Sequence, residues 1–590
     1  MPVYGRPQSY ESLYTGTYSP LNPEYGPLFT GYRVPPSQLG LSTDPRTANI
    51  IGEVSTKLSQ GIKTMELSQV SPQVFEAIPK QHWKEVERIG KLTGVDFTLH
   101  GPIVDPAGFS RDGWSESFRE QAENQLKNAM DRAHDLSAKG NIPMTIHATG
   151  GVPSTEWRMV EGEPRKQIMY AVNRETGRIA PLEIKKRFFP KEEIPDPERE
   201  LKEINERVWD SNRTSLIHNK LLADSMIKEG WETAGDIWKD WKEQKITEEE
   251  LTPIKGRGVT EIQLGKARYE DVDLSLRHMF DEVIEFVPEE KKEDVMKKMG
   301  TIREEWKEAQ KLRDTNPLKM AEKYNRILRE LATLPAPETY VPAEDFCLDK
   351  SKKTIANVAL HAYKEYGEKA PIISIENVFP NTVFGRAEEL SNLIKESREE
   401  FIRKAKEEGM SDAKARAASE KLIGATWDVS HINMLRKHGF PKKAIIEETK
   451  KIAPYVKHVH LADNFGYEHV ELPPGMGEVP IKEMLTELEK KGYSGKKILE
   501  FASWAEHMKV SPVPYLFEAM GSPLYGMEMP PFWNQVRGVY GTPAGYGVGF
   551  GMTLPEQHFA TYGAGFSALP TELGGRLPKR GEAFSGTPME

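Results

Sequence analysis

Eight short apolar runs recur along the chain in step with amphipathic segments. They are QLGLST (38–43), IKTMELS (62–68), DFTLHGP (96–102), PMTIHATG (143–150), PIISIENV (371–378), GATWDVSH (424–431), VKHVHLAD (456–463) and KILEFAS (497–503). Most are separated by one helix-like stretch, such as SPQVFEAIPKQHWKEVERIG or IKEMLTELEKKG. A short apolar run bounded by turn residues reads as a buried strand, and a charged stretch with a 3.6-residue period reads as a surface helix. Strand–helix units repeated in one direction require parallel strands joined by helical crossovers, and eight such strands close into a barrel. The expected fold class is therefore α/β, a (β/α)8 TIM barrel built from residues 37–154 and 341–521.

At 590 residues the chain exceeds one compact barrel, and the excess falls in three places. About 185 residues, 155–340, interrupt the rhythm between the fourth strand and its helix. Helical patterns (LKEINERVW, REEWKEAQKL, MAEKYNRILRELATL) and one hairpin-like stretch, QIMYAVNRETGRIAPLEI, predict a large, mostly helical insertion subdomain. Because it follows the C-terminal end of a strand, it is expected over the active face. Residues 1–36, an extended N-terminal arm, and 522–590, a Gly-, Pro- and aromatic-rich C-terminal arm, lack periodicity and read as irregular. A helix-like segment around VPYLFEAMG precedes the second arm. Such arms either wrap a neighbouring subunit, giving a homo-oligomer, or stay flexible.

A formal net charge of -9 gives no overall pull towards nucleic acid or an anionic membrane. The insertion balances its charges and has acidic runs such as 281–285, so it is no obvious nucleic-acid clamp. The single cysteine, Cys347, excludes a disulfide framework and a cysteine-built zinc site. The first residues carry no signal-peptide h-region, and no stretch approaches about 18 apolar residues, so a cytoplasmic protein without membrane partners is expected. P-loop, strand-following G-x-G-x-x-G and G-x-S-x-G motifs are absent from the sequence, which removes nucleotide and serine-hydrolase readings.

In a TIM barrel, side chains at the C-terminal strand ends and in the loops just after them share one pocket. Here the third strand ends at His100, the fourth at His147 and the fifth at Glu376. The sixth ends at Asp428 with His431, the seventh at His460 with Asp463 just beyond, and the eighth at Glu500. A lone His or Glu at a strand end is usually a hydrogen-bonded structural group. Six strands in register delivering an imidazole or a carboxylate are different, because burying them together without a cation costs on the order of several kcal/mol each. Nitrogen and oxygen ligands without thiolate suit zinc, manganese, iron or magnesium, and three or more histidines tilt the choice to zinc or manganese.

In order and context, LHGP, IHATG, IENV, WDVSH, HVHLADN, ELPPGMGEVP and LEFAS resemble the xylose-isomerase-like TIM barrel superfamily and, within it, endonuclease IV (AP endonuclease family 2). The resemblance covers about residues 37–150 and 350–520 and leaves out the insertion and arms. It implies that His100, His147 and Glu376 hold one divalent ion. Glu376 would bridge to a second ion, held also by Asp428, His460 and Glu500. A third would take His431 and an Asp-x-His pair from the loop before the last helix. Here that loop reads His469-Val470-Glu471 ahead of Leu-Pro-Pro-Gly, with the two ligand types exchanged. The third site is then either kept with swapped ligands or lost. The implied cofactor is zinc, two or three ions, with manganese as the alternative.

Two reactions use such a barrel. In phosphodiester hydrolysis, as in endonuclease IV, clustered metals activate water, orient the phosphate and neutralise the leaving oxygen. Glu376, Glu500 and His431 are the expected catalytic residues, and damaged DNA or a small phosphorylated molecule the substrate. In sugar isomerisation or epimerisation, one ion holds two substrate oxygens while Glu376 and Glu500 act as acid and base and His431 binds substrate. That reaction leaves His100 and His147 without a metal role, and the Arg that follows the seventh-strand His by six residues in related ketose epimerases is Gly466 here. Against hydrolysis stand the acidic net charge and the lack of a basic patch with interleaved aromatics. The insertion could also close the pocket to a duplex and admit only small substrates. A third reading makes the barrel a metal-stabilised scaffold whose insertion and arms form an assembly surface.

Other residues point less sharply. Glu66 ends the second strand facing the same pocket, with an Arg or Lys partner as plausible as catalysis. His458 precedes His460 on one strand face and reads as core or as support behind a ligand. Trp427 and Trp504 flank ligands and are expected to wall the pocket, whereas His134, His361 and His438 sit in helical contexts.

Overall fold

All eight runs form strands: β1 Leu39–Ser42, β2 Thr64–Ser68, β3 Asp96–His100, β4 Pro143–His147, β5 Ile372–Glu376, β6 Ile423–Asp428, β7 Val456–Leu461 and β8 Lys497–Leu499. In this computed structural model each pairs in parallel with its sequence neighbours, and β8 returns to β1 to close the barrel. The described residues are 37–501, apart from 60–61, 138, 189–190, 193 and 195, together with 32, 34, 35 and 520. The expected arms, apart from those isolated positions, the VPYLFEAMG segment and Trp504 lie outside them. Among the described residues no helix is long and apolar enough to cross a membrane.

The two-residue period of a strand explains why the runs read as apolar yet end in polar groups. Outward side chains such as Leu67, Leu99, Ile146, Ile375, Trp427, Val459 and Leu499 are buried under the helices. Inward positions alternate with them and are polar over two successive layers. The lower layer comprises Glu66, Thr98, Thr145, Ser374, Thr426 and His458, all inaccessible to solvent. Its members bond one another: Thr145 to Thr426 at 2.9 Å, Thr426 to Ser374 at 2.8 Å and Thr98 to Glu66 at 2.9 Å. Two residues further on, the upper layer holds His100, His147, Glu376, Asp428, His460 and Glu500. Register aligns this layer, with Glu376 opposite His147 and Asp428 opposite His460.

Helix ends follow local chemistry. Ser115 caps Glu116–Asp135 by accepting from Phe118 N–H, and Lys80–Thr93 stops at Gly94 in the left-handed region, φ 71°. A Cβ on Gly40 of β1 would stand 2.8 Å from the Thr64 carbonyl, so only glycine lets β1 and β2 approach there.

Residues Ala171–Pro342 make a separate compact unit. Asn173 to Arg178 form the turn of a hairpin, with the Asn173 side chain accepting from the N–H groups of Glu175 and Thr176. Four helices follow, Pro197–Ala234, Pro253–Phe286, Glu289–Leu312 and Pro317–Leu331, besides shorter segments. The first two lie along each other at glycines. A Cβ on Gly230 would be 2.5 Å from the Gly258 carbonyl, too close for any other residue. Trp209, Tyr269, Val272, Ile302 and Tyr324 belong to the apolar core of this unit. Within it Asp273 accepts from Trp306, Gln310 and Tyr324, which satisfies a buried charge.

Candidate metal centre

Glu376 is the centre of the upper layer, and its two oxygens face different neighbours. Oε2 lies 3.2 Å from His100 Nε2 and 3.5 Å from His147 Nε2. Oε1 lies 2.9 Å from His460 Nδ1, which is itself 3.3 Å from Glu500 Oε1. Two ligand groups result, His100–His147–Glu376 and Glu376–Asp428–His460–Glu500, and within each the ligand atoms lie within 4.8 Å of one another. One carboxylate shared by two groups, one oxygen towards each, is the shape of a bridging ligand.

The donor set fits divalent ions on a second ground. Asp428 starts a short helix, Val429–Asn433, by accepting at Oδ1 from Ser430 N (2.6 Å) and His431 N (3.0 Å). Its other oxygen, Oδ2, is buried and makes no hydrogen bond among the described residues. A bare carboxylate oxygen inside a protein is costly unless a cation takes it. The donors are nitrogen and oxygen, as zinc or manganese accepts, and Cys347 is buried.

Electrostatics point the same way. Burial opposes ionisation of Glu376, yet His460 and His100 hold it well below the usual carboxylate range. Burial, together with the charges of Glu376, Asp428 and Glu471, pushes Glu500 well above that range. Burial lowers His147 to about 3, so its ring is neutral and can donate a lone pair. Glu500, raised by burial and by the charge of its neighbouring carboxylates, is the kind of group a divalent cation relieves.

His431 and His469, both expected from the sequence, come together. Their Nε2 atoms are 3.0 Å apart, and His431 Nε2 is 3.6 Å from Asp428 Oδ2. The other nitrogen of His431 contacts the Asn377 carbonyl at 2.9 Å, which leaves Nε2 turned to His469. Glu471 is near enough that its charge raises the proton affinity of both His431 and Glu500. Six of the nine residues expected as ligands fall in the two groups, and His431, His469 and Glu471 lie beside them.

Three expectations change in the structure. Asp463 is no part of the ligand ring: its carboxylate accepts from the N–H groups of Asn464 (2.8 Å), Gly475 (2.8 Å) and Val479 (2.9 Å), knotting the loop that carries His469. Trp427 does not wall the pocket. It alternates with Asp428 and so faces outward, where its indole donates to Thr449 Oγ1 at 3.0 Å. Glu66 has a histidine pair in place of an Arg or Lys, with Oε2 2.9 Å from His458 Nε2 and Oε1 2.9 Å from His460 Nε2.

The pocket wall is instead Phe379, with its ring 5.3 Å from His431 and 5.2 Å from His469. It went unread in the sequence, where IENVF offered only its place after a strand end as a signal. Phe465 and Tyr467, on the His469 loop, are more than half exposed. His134, stacked on Tyr366 at 3.8 Å, and His361, 3.0 Å from Asp131, take no part in the cluster.

Residues 368–512 match the family model described as xylose isomerase-like TIM barrel. A search of curated proteins returned no match. Among solved structures, similar folds include a D-tagatose 3-epimerase-like protein (12% identity, 80% of this chain and 93% of that chain covered, TM-score 0.35). Another is D-psicose 3-epimerase with D-tagatose from Clostridium cellulolyticum H10 (8% identity, 82% and 96% covered, TM-score 0.36). The chain thus closes eight parallel strands in sequence order into a TIM barrel, and the stretch that carries β5 to β8 is similar to the xylose isomerase-like TIM barrel family.

Proposed function

We propose that the chain is a divalent-metal-dependent hydrolase of phosphodiester bonds, of the endonuclease IV kind. The observation that carries this is the pair of ligand groups sharing Glu376. An isomerase needs only the second group, and buried His100 and half-buried His147 would then be two imidazoles with no task. The His431–His469 contact beside Asp428 adds donors in the same direction.

When bound, zinc or manganese ions supply water activation and neutralise charge on phosphate oxygens. The chain's own residues do the positioning. Glu376 ties the two groups together through its separate oxygens. Asp428 keeps Oδ2 aimed inward because its Oδ1 is fixed by two backbone N–H groups. Glu500, 3.3 Å from His460 Nδ1, completes the second group and stands beside the reacting centre. Phe379 supplies an apolar wall beside His431 and His469. Damaged DNA and small phosphodiesters are the substrates to try.

One observation favours the sugar isomerase reading: Glu376 and Glu500 flank the same nitrogen, His460 Nδ1, at 2.9 and 3.3 Å, two carboxylates placed to serve as acid and base. Gly466 weighs against it. Its φ is 87°, and a Cβ there would stand 2.8 Å from Arg436 Cβ, so the arginine of related ketose epimerases has no room.

The test is turnover of a chromogenic phosphodiester and of abasic-site DNA by zinc- or manganese-loaded protein, run beside deuterium exchange into ketoses. Cleavage that chelator abolishes supports the hydrolase. Exchange into a ketose without any cleavage overturns it in favour of the isomerase.

A further inference from the structure

Asn377 follows the shared ligand Glu376 directly and is wholly inaccessible to solvent. β5 and β6 pair as far as Glu376 and Thr426, and past that point the Asn377 side chain joins them. Its Nδ2 donates to the Asp428 carbonyl at 3.0 Å, and its Oδ1 accepts from Asp428 N–H at 2.8 Å. Asp428 is extended (φ -87°, ψ 116°), so its N–H and C=O open on one side, where a primary amide matches both. The backbone carbonyl of Asn377 makes a third contact, 2.9 Å from His431 Nδ1. A carbonyl oxygen only accepts, so Nδ1 is the donor there and the ring is held with Nε2 towards His469.

One residue at the end of β5 therefore reaches two of the expected ligands at the end of β6. Holding the Asp428 backbone also sets its carboxylate, because Oδ1 is engaged by the N–H groups of Ser430 and His431 while Oδ2 makes no hydrogen bond. On the far side, the loop after β7 braces the same short helix through Asn464. Its Nδ2 donates to the Ser430 carbonyl at 2.8 Å, and its Oδ1 accepts from Asn433 Nδ2 at 2.9 Å. Those bonds fall on Ser430 and Asn433, whereas the three made by Asn377 fall on Asp428 and His431. We infer that Asn377 is a positioning residue for the metal centre: it fixes the Asp428 backbone and the His431 ring so that Asp428 Oδ2 and His431 Nε2, 3.6 Å apart, are presented together. Both polar atoms of its own side chain are engaged, so it acts through those residues and not as a ligand. This rests on the metal-binding reading above and extends it to a residue outside the ligand set. A residue that only closed a strand pair would serve the barrel as a whole, and the two roles predict different losses.

Asn377→Ala removes both bonds to Asp428. Zinc per chain is measured by elemental mass spectrometry after dialysis of full-length holoprotein against chelator of graded strength, with circular dichroism as the check on folding. The wild-type curve tests the metal reading itself: protein that holds no ion refutes that reading, whatever the variant does. Given wild-type binding, the variant should lose the zinc that depends on Asp428 and His431 at chelator strengths about 10–100-fold lower. Zinc at His100–His147 should stay at wild-type strength, because Glu376 keeps its own pairing with His147 and Thr426. Unchanged release overturns the inference. So does equal weakening of all the zinc, which would mark a merely structural residue. If Asn377→Ala fails to fold, Asn377→Ser, too short to span both Asp428 groups, should show the same selective loss, and wild-type release from that variant would overturn it.

Discussion

Changing Glu376 to Gln keeps the shape of the side chain and removes the one charge that both ligand groups share. In the structure its oxygens lie 2.9 Å from His460 Nδ1 and 3.2 Å from His100 Nε2, so an ion in either group would have this carboxylate as a neighbour. Two unit charges about 4 Å apart interact by about 4 kcal/mol at an effective dielectric of about 20, and a divalent ion doubles this to about 8 kcal/mol. Desolvation takes back roughly half, leaving about 4 kcal/mol per ion. At about 1.4 kcal/mol per factor of ten, each ion should bind about 1,000-fold more weakly. The assay is zinc per chain after dialysis against a chelator that leaves the wild type loaded, with circular dichroism to verify the barrel and phosphodiester turnover read in parallel. The variant should come out metal-free, folded and inactive. A folded variant that keeps both ions at wild-type affinity would refute the bridging role. Loss of a single ion would show that Glu376 belongs to one group only.

Three further outcomes are expected. Glu389 is half-buried beside Glu344, and loss of hydration with that neighbour's charge raises it from 4.5 to about 8. The folded state therefore holds a proton that the unfolded state has lost, and stability should fall as pH rises from about 5 to about 8. The loss should be about 4–5 kcal/mol at ~1.4 kcal/mol per pH unit, and denaturant midpoints for Glu389→Gln should lack this part of the decline. Gly466→Ala should destabilise by about 1–3 kcal/mol in urea, because φ is 87° and the added Cβ meets Arg436 Cβ at 2.8 Å. Trp427→Phe removes the 3.0 Å indole bond to Thr449 on the outer face, so it should cost about 1–3 kcal/mol of stability and leave metal content unchanged. A metal loss in that variant would contradict the outward placement.

The barrel was legible because its signals are local and repeated. Each run is short, apolar on its outward positions and followed by a helix, and closure of eight such units needs no long-range information beyond their number. The upper layer was legible for the same reason: His100, His147, Glu376, Asp428, His460 and Glu500 are all the last or next-to-last inward residue of a strand, a place that sequence position specifies. What those residues do to one another was not legible. Whether Glu66 meets an arginine or a histidine depends on the inter-strand register and on which side chains cross the barrel axis, and its partners on β7 are about 392 residues away. Asp463 shows the limit in one side chain. As a residue type two places beyond β7 it matches a ligand, and only the fold of 463–479 brings three backbone N–H groups onto it and takes it out of the ring. Trp427 and Asp428 differ by one position, and the pleat alone sends one into the helices and the other to the pocket. The sequence by itself therefore determined the barrel and the chemical types around its rim. Tertiary structure decided the pairings, because hydrogen bonds and charges act over about 3 Å between strands that the chain brings together only by folding.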